Sequence, residues 1–440
     1  MQLDDPRRDA NLLAFAPDRK NLMSPKVLIA TTHCWFPTAR LGMALARAGF
    51  SVEAVCPPTH PIQLTSVLQR AHGYRGLLPV RSFRRAIEAA RPDLIVSGDD
   101  LATHHLYQIH DETGGKGEAS SFIHDLIERS LGRPENFEII RERDAFMSMA
   151  KQEGIRVPET KPICNMDQLR EWVSDYGFPT VLKASHTSGG AGVRIVETVD
   201  SAEREYRSLQ APPLLARALK RAVIDGDRTL LYPSLRRTRH AVQAQAMVAG
   251  REATTAVACW RGNVLGCLSF EVVHKRDRFG PATVLQLIDN PEMVASSVKM
   301  ARRLGLSGLH GFDFMLEHES DDAYLIEINP RATQVGHLAL GEGRDLPAAL
   351  YACISGRALE PSPRVTDKST IALFPHEWIR NPGSAFLRTA YHDVPWSEPA
   401  LVRACVRSAG KMRSTVEEDW TDSLATESES VDDNYAASRK

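Results

Sequence analysis

The chain has 440 residues, 43% hydrophobic and 25% charged, with a formal net charge of −1. At roughly 100–200 residues per domain that length calls for about two to four domains of ordinary globular composition. The near-zero charge excludes a long-range pull toward nucleic acid or an anionic membrane, and no run reaches the ~18 apolar residues of a membrane-spanning helix. The seven cysteines are scattered with no Cys-x-x-Cys pair, and Met1–Arg8 lacks the apolar core of a signal peptide. Both point to a reducing, cytoplasmic setting.

In chain order, residues 1–24 read as a flexible leader. Lys26–Ala30 is a short buried strand, followed by a helix from about Thr38 to Ala48 that Gly49 ends. Ser51–Cys56 is the next strand, Arg81–Ala90 is helical and Asp93–Ser97 is again a strand. Strand–helix–strand alternation with short connections predicts a Rossmann-like parallel sheet over residues 25–132, with helices on both faces. The first turn, Thr31–Phe36, carries no Gly-x-Gly-x-x-Gly, which argues against a dinucleotide there. His33 and the Ser97–Asp100 turn occupy the carboxyl ends of strands, where such sheets hold ligands, though turn and cap chemistry explains each alone.

From Pro134 the pattern changes. Phe137–Glu153 reads as one long amphipathic helix stopped by Gly154. Thr180–Ala184 is a strand with Lys183 among apolar neighbours, and a mid-strand Lys is costly to bury unless an anion meets it. The hairpin His186–Val196 that follows contains Ser188, Gly189, Gly190 and Gly192, small residues that let backbone N–H groups close on phosphate oxygens. It is not a Walker A loop, since no Gly-Lys-Ser/Thr follows. Ala241–Val248 reads as a strand, and Ala249–Glu252 turns into Ala253–Ala258. An extended backbone there suits an adenine edge and a carboxylate past the turn suits ribose hydroxyls, although a plain strand pair explains it as well.

Two later strands carry the sharpest signal. In Ala323–Asn329, Glu327 and Asn329 point one way and Ile326 and Ile328 the other. In Leu309–Glu317, Asp313 faces away from Phe312 and Phe314, and the polar turn Glu319–Asp322 would set Asp313 beside Glu327. Two carboxylates and an amide oxygen are ligands for Mg²⁺, which keeps further positions for water and nucleotide phosphates. The alternative, a hairpin with solvated charges, explains neither Asn329 nor Arg331 in the same cluster. Before these two strands, Met293–Leu304 is a structural helix and Lys275, Arg276 and Arg278 form a basic loop, open to phosphate, an acidic substrate or solvent alone.

Taken together, these segments resemble the ATP-grasp superfamily over about residues 133–357, with a pre-ATP-grasp domain before it. The resemblance implies an α+β fold of two subdomains clasping ATP, the lid at about residues 176–245. It implies that Lys183, the Ser188–Gly192 loop and Arg143 contact ATP, Arg143 standing where relatives carry Lys. Gln245, Ala246 and Val248 would read the adenine, Glu252 would hold the ribose, and Asp313, Glu327 and Asn329 would hold Mg²⁺ or Mn²⁺. In D-alanine ligases an Arg lies two residues before the metal Asp; here that position is Gly311, so stabilising the acylphosphate falls to Arg331, with Lys275 and Arg278 nearby. The implied activity is an ATP-dependent ligase joining a small-molecule carboxylate, such as an amino acid, to an amine. The alternatives are a bicarbonate-using carboxylase or carbamoyl-phosphate-synthase-like enzyme, and a silent ATP-binding regulatory protein. Dimers are common among similar proteins. Residues 358–414 read as a small packed appendage and 415–440 as a disordered acidic tail.

Overall fold

The computed structural model describes residues 24–114, 117–184, 192–211, 241–278, 280–359 and 363–407. All of the expected leader but Ser24, the whole of the expected acidic tail, and Ser188, Gly189 and Gly190 lie outside the described residues.

The N-terminal unit is a four-stranded parallel sheet of β1 (Lys26–Ala30), β2 (Ser51–Cys56), β3 (Leu68–Gly73) and β4 (Leu94–Ser97), in the order β3-β2-β1-β4. Its helices are α1 (Phe36–Ala48), α2 (Pro79–Ala90), α3 (Asp100–Thr113) and α4 (Gly117–Leu131). The unbroken apolar run of β1 has a direct cause: Val27 and Ile29 enter one core and Leu28 and Ala30 another, so both faces are covered. β3, Leu-Gln-Arg-Ala-His-Gly, has no such run because it is the sheet edge, and its sequence does not announce it.

A second sheet, antiparallel, contains β5 (Thr160–Ile163), β6 (Thr180–Ala184), β7 (Val193–Val196) and β8 (Val242–Ala246) in the order β5-β8-β6-β7. α7 (Met166–Tyr176) and α8 (Val199–Gln210) pack on one face through Trp172, Leu169 and Tyr206 against Leu182, Ala184, Val242 and Ala244. The opposite face is left for Lys183, Gln243 and Gln245.

The third sheet has seven strands: β9 (Gly250–Trp260), β10 (Asn263–Lys275), β11 (Ala282–Leu287), β12 (Gly308–Glu317), β13 (Ala323–Asn329), β14 (Thr370–Ala372) and β15 (Tyr391–His392). They run β13-β12-β9-β10-β11-β14-β15. One face packs on α6 (Arg143–Gln152) and α9 (Pro291–Leu304); the other meets the N-terminal unit and α10 (Leu346–Ser355).

Three expectations need correction. The long helix from Phe137 is two: α5 (Phe137–Arg141) and α6, separated by Glu142 in an extended conformation. Phe137 belongs to the core under the N-terminal sheet and Phe146 to the core under the seven-stranded one, and one straight helix cannot serve both. The turn placed at Ala249–Glu252 ends earlier, because β9 begins at Gly250. A Cβ there would sit 2.1 Å from the Leu316 carbonyl oxygen, so glycine is what lets β9 and β12 close up. Finally, the expected appendage extends the main sheet: β14 pairs with β11, and Leu401 and Cys405 belong to the same core as Val27, Ala256 and Leu350.

Candidate functional site

The site grows from the β12–β13 hairpin. Asp313 lies opposite Glu327 and Gly311 opposite Asn329, in antiparallel register. The register slips between Asp313 and Phe314, whose partner is Leu325, leaving Ile326 as the extra residue of a β-bulge. The bulge explains an apparent conflict. Leu325 is a core residue, and strict alternation would bury Glu327 beside it; the extra residue turns Glu327 and Asn329 onto the face of Asp313 while Ile328 joins the core with Phe312 and Phe314.

On that face Asn329 Nδ2 donates to Asp313 Oδ2 at 2.9 Å. Asn329 Oδ1 accepts from Arg331 Nη2 at 3.2 Å, and Arg331 Nε donates to Asp100 Oδ1 at 3.0 Å. Arg143, first residue of α6, donates to Glu327 Oε2 at 2.5 Å, a contact the break at Glu142 makes possible. Burial first, and the facing Glu327 second, push the Asp313 carboxyl up to about 6. Burial works against the Arg331 charge as well, but Asp100, Asp313 and Asp99 outweigh it and hold the guanidinium protonated. Two carboxylates facing each other across a strand pair, with the Asn329 amide beside them, are the side-chain types that can hold a hard cation.

Lys183 comes from the four-stranded sheet. It is 8% exposed, pairs across the ladder with Gln243, and lies within the field of Arg143, Glu327 and Asp313. Burial, then Arg143, draw its pKa down to about 8 against the pull of the two acids. Gln245, likewise buried, stands opposite Val181, and Ala246 N donates to Glu159 O at 2.9 Å. Val248 lies in the linker from β8 to β9. Gly192 O accepts from Ala184 N at 2.9 Å and closes the base of the glycine-rich hairpin.

Glu252, expected just past a turn, lies inside β9, where it pairs with Lys275 at 2.5 Å. Lys275 ends β10, and Arg278 lies in the turn beyond it, exposed. Gly311 is crowded out of a side chain: a Cβ there would meet the Thr333 methyl at 2.3 Å, so Arg331 is the cation at this corner. The geometry thus brings Lys183, Arg143, Asp313, Glu327, Asn329 and Arg331 into one neighbourhood and puts Glu252 with Lys275 further along the same sheet.

Sequence reasoning missed three neighbours. Gln243 shares Lys183's face and its Oε1 is buried without a partner. Asp144, its pKa raised by burial, hydrogen-bonds Gln243, so consecutive residues of α6 touch both sheets. Thr254 stands opposite Asp313 on β9. The period-two placement of Gln243 before Gln245 was the one available signal. Asp99, by contrast, is a cap: its Oδ1 accepts from Ala102 N at the start of α3. A separate trio, His110, His124 and Glu128 on α3 and α4, has its two imidazoles stacked at 3.9 Å, so their ring lone pairs do not converge on one point.

Comparison with known proteins follows the same outline. The family model described as the carbamoyl-phosphate synthase L chain ATP-binding domain matches residues 142–342, from the helix break to just past the metal-type strand. The carbamoyl phosphate synthase large chain of Rubrobacter xylanophilus is 26% identical over 204 residues, 45% of this chain but 18% of that protein. The chain therefore spans less than a fifth of that curated relative. The biotin carboxylase domain dimer of Hydrogenobacter thermophilus 2-oxoglutarate carboxylase, solved with MgADP, ADP and bicarbonate, superposes with a TM-score of 0.53 at 16% identity over 77% of this chain and 71% of that one. Staphylococcus aureus N5-carboxyaminoimidazole synthetase with ADP gives 0.53 at 13% identity, over 77% and 79%. At such identities the likeness is one of fold, and the fold, the element order and the family-model match over residues 142–342 agree on an ATP-grasp type of ATP-binding domain in that part of the chain.

Proposed function

We propose that this protein is an ATP- and Mg²⁺-dependent ligase that activates a small carboxylate as an acylphosphate and passes the acyl group to an amine, forming a C–N bond and releasing ADP and phosphate. The observation that carries the reading is the in-register Asp313–Glu327 pair, with Asn329 beside it and three cations, Lys183, Arg143 and Arg331, around it. Phosphoryl transfer asks mainly for positioning and charge neutralisation, which this cluster supplies. Asp313, Glu327 and Asn329 would hold Mg²⁺ (or Mn²⁺), which would supply positive charge to offset that of the phosphates. Lys183, Arg143 and the Ser188–Gly192 loop serve the ATP phosphates, Gln245, Ala246 and Val248 the adenine, and Glu252 the ribose, its partner Lys275 turning with Arg278 toward the transferred phosphate. Arg331, braced by Asp100, neutralises the acylphosphate and the adduct that follows.

A second reading takes bicarbonate as the carboxylate. Its support is the bicarbonate bound in the Hydrogenobacter structure and the carboxylation chemistry in both neighbours' names. A binding-only regulatory protein fits less well, since nothing in the charged cluster is lost. The reading includes a cytoplasmic homodimer, the former from the cysteine pattern and the latter from the dimeric neighbour; among the described residues no helix is long and apolar enough to cross a membrane. The test is ADP and phosphate release with ATP and Mg²⁺ against pools of amino acids, small carboxylates and bicarbonate, with Glu327→Gln as blank. Release dependent on an amine-containing pool and absent in the blank supports the ligase; release on bicarbonate alone moves the reading to a carboxylase; ATP bound without release in any pool overturns both.

A further inference from the structure

The N-terminal unit reaches the site at Arg331. It pins the backbone on both sides of that residue: Pro330 O accepts from Thr103 Oγ1 at 2.9 Å, and Ala332 N donates to Ser97 O at 3.0 Å. It holds the side chain as well. Asp100, in the first turn of α3, takes Nε at 3.0 Å. The Trp35 ring, at the end of the loop between β1 and α1, lies against the guanidinium with its centroid 5.6 Å from Cζ.

Trp35 stands at the N-cap of α1 and makes no side-chain cap bond there. A Ser, Thr, Asp or Asn at that position would satisfy an orphan N–H, so the chain gives up a cap to place a ring. The loop that carries the ring is tied down. Asp99 accepts from Thr31 Oγ1 (2.8 Å), Thr32 N (2.6 Å) and Thr32 Oγ1 (2.9 Å), and Trp35 N donates to His33 O at 2.9 Å. Phe36, next in the chain, is buried in the main core and meets Phe374 edge-on at 5.5 Å. A ring mounted in this way fixes a cation rather than following it.

A guanidinium has five N–H donors in one plane. Arg331 spends three of them: Nε on Asp100 Oδ1, Nη1 on Ala332 O at 3.3 Å and Nη2 on Asn329 Oδ1 at 3.2 Å. Among the described residues, one N–H on each terminal nitrogen is left, the number that a bidentate grip on an oxyanion needs. Edge contacts set where the three nitrogens lie, and an aromatic face sets the tilt of the plane. The side chain is 19% exposed, so the cation is largely out of water, where attraction to a ring face is strongest. We infer that Trp35 is a positioning residue for the acyl transfer proposed above, on which this inference rests: its ring fixes the Arg331 guanidinium so that the two unspent N–H groups meet the acylphosphate.

The experiment uses the full chain with ATP, Mg²⁺ and a pool of amino acids and small carboxylates, reading ADP release. Trp35→Leu keeps an apolar side chain but removes the ring face. Its kcat should fall about tenfold, with the KM for ATP held within about twofold and Tm within a few degrees. Trp35→Phe, which keeps a ring, should lose no more than about threefold. Arg331→Lys should be down about 100-fold, because an ammonium does not reproduce the planar fork. In that background Trp35→Leu should cost no more than about twofold further, since the ring acts only through the guanidinium. Tetrafluorotryptophan keeps the shape of the ring and removes its negative face. Incorporated throughout, it should slow the wild type about as much as Trp35→Leu does and leave Trp35→Phe unmoved, which decides the matter even if the leucine variant fails to fold. An unchanged kcat in Trp35→Leu, a full tenfold loss in the Arg331→Lys background, or an equal fluorination effect in Trp35→Phe overturns the assignment. A wild type that releases no ADP with the pool overturns the ligase reading itself, and with it this inference.

Discussion

At the residue scale, the chemistry is concentrated in charges that only one another's presence makes tolerable. Asp313 titrates near 6 because it is buried opposite Glu327. A carboxyl whose folded pKa is raised contributes stability below its unfolded pKa and loses that contribution as pH rises through the folded value, here between about 4 and 6. At pH 7 the metal-free protein therefore carries an ionised Asp313 at a cost. Asp313→Asn should raise the metal-free Tm at pH 7 by a few degrees and abolish the Tm increment that Mg²⁺ gives the wild type; an unchanged increment would remove Asp313 from the metal set. Glu327→Gln keeps the shape but removes both a ligand and the partner of Arg143. Steady-state turnover should fall at least about 100-fold, in line with loss of a preorganised electrostatic contact, with Tm held within a few degrees.

At the element scale, breaks in regularity place the site. The kink at Glu142 delivers Arg143 to Glu327, the bulge at Ile326 turns Glu327 over, and Gly250 brings β9 against β12. Gly250→Ala forces a methyl into the Leu316 carbonyl, a backbone atom that cannot swing aside. A loss of about 3 kcal/mol is expected, read as a clear drop in Tm. Gly73→Ala is the control: it meets nothing within 4 Å and should be close to neutral. The strands bearing Lys183 and Asp313 were legible because period-two alternation survives in them, and in β13 it holds past the bulge, from Glu327 to Asn329; the turn at Glu319–Asp322 falls where its composition puts it. The kink was not legible, since the apolar positions of residues 137–153 keep helical spacing while belonging to two different cores.

At the scale of the whole molecule, one core runs through regions that read as separate domains. Val27 and Ile29, Ala256 and Leu268, and Leu401 pack together. Buried Asp393, 1% exposed, fastens the three: it accepts from Arg40 of α1 and bonds His337, just after the site strand, at 2.6 Å. Burial opposes the Asp393 charge, but His337 and Arg40 lower its pKa, so its contribution is present above the unfolded carboxyl pKa and lost as pH falls through the folded one. Asp393→Ala strands the largely buried Arg40 guanidinium and should cost about 3 kcal/mol, measured by denaturant unfolding. A chain ending at 357 exposes the β11 edge and uncaps Arg40 and His337; it should aggregate in size-exclusion chromatography, where a true appendage would leave a soluble core.

The sequence by itself determined the parallel sheet at the N-terminal end and the set of charged residues, because both are written in local period and in residue type, and the order of its motifs carried the resemblance to the ATP-grasp superfamily. Tertiary structure alone decided which of those charges meet. It set Asp144 and Gln243 beside Lys183, paired Glu252 with Lys275, closed the sheet with the C-terminal segment, and brought the Thr31 and Thr32 hydroxyls onto Asp99. The physical reason is that a contact between residues a hundred or more positions apart depends on register, bulges and a shared core, and none of these leaves a period in the chain.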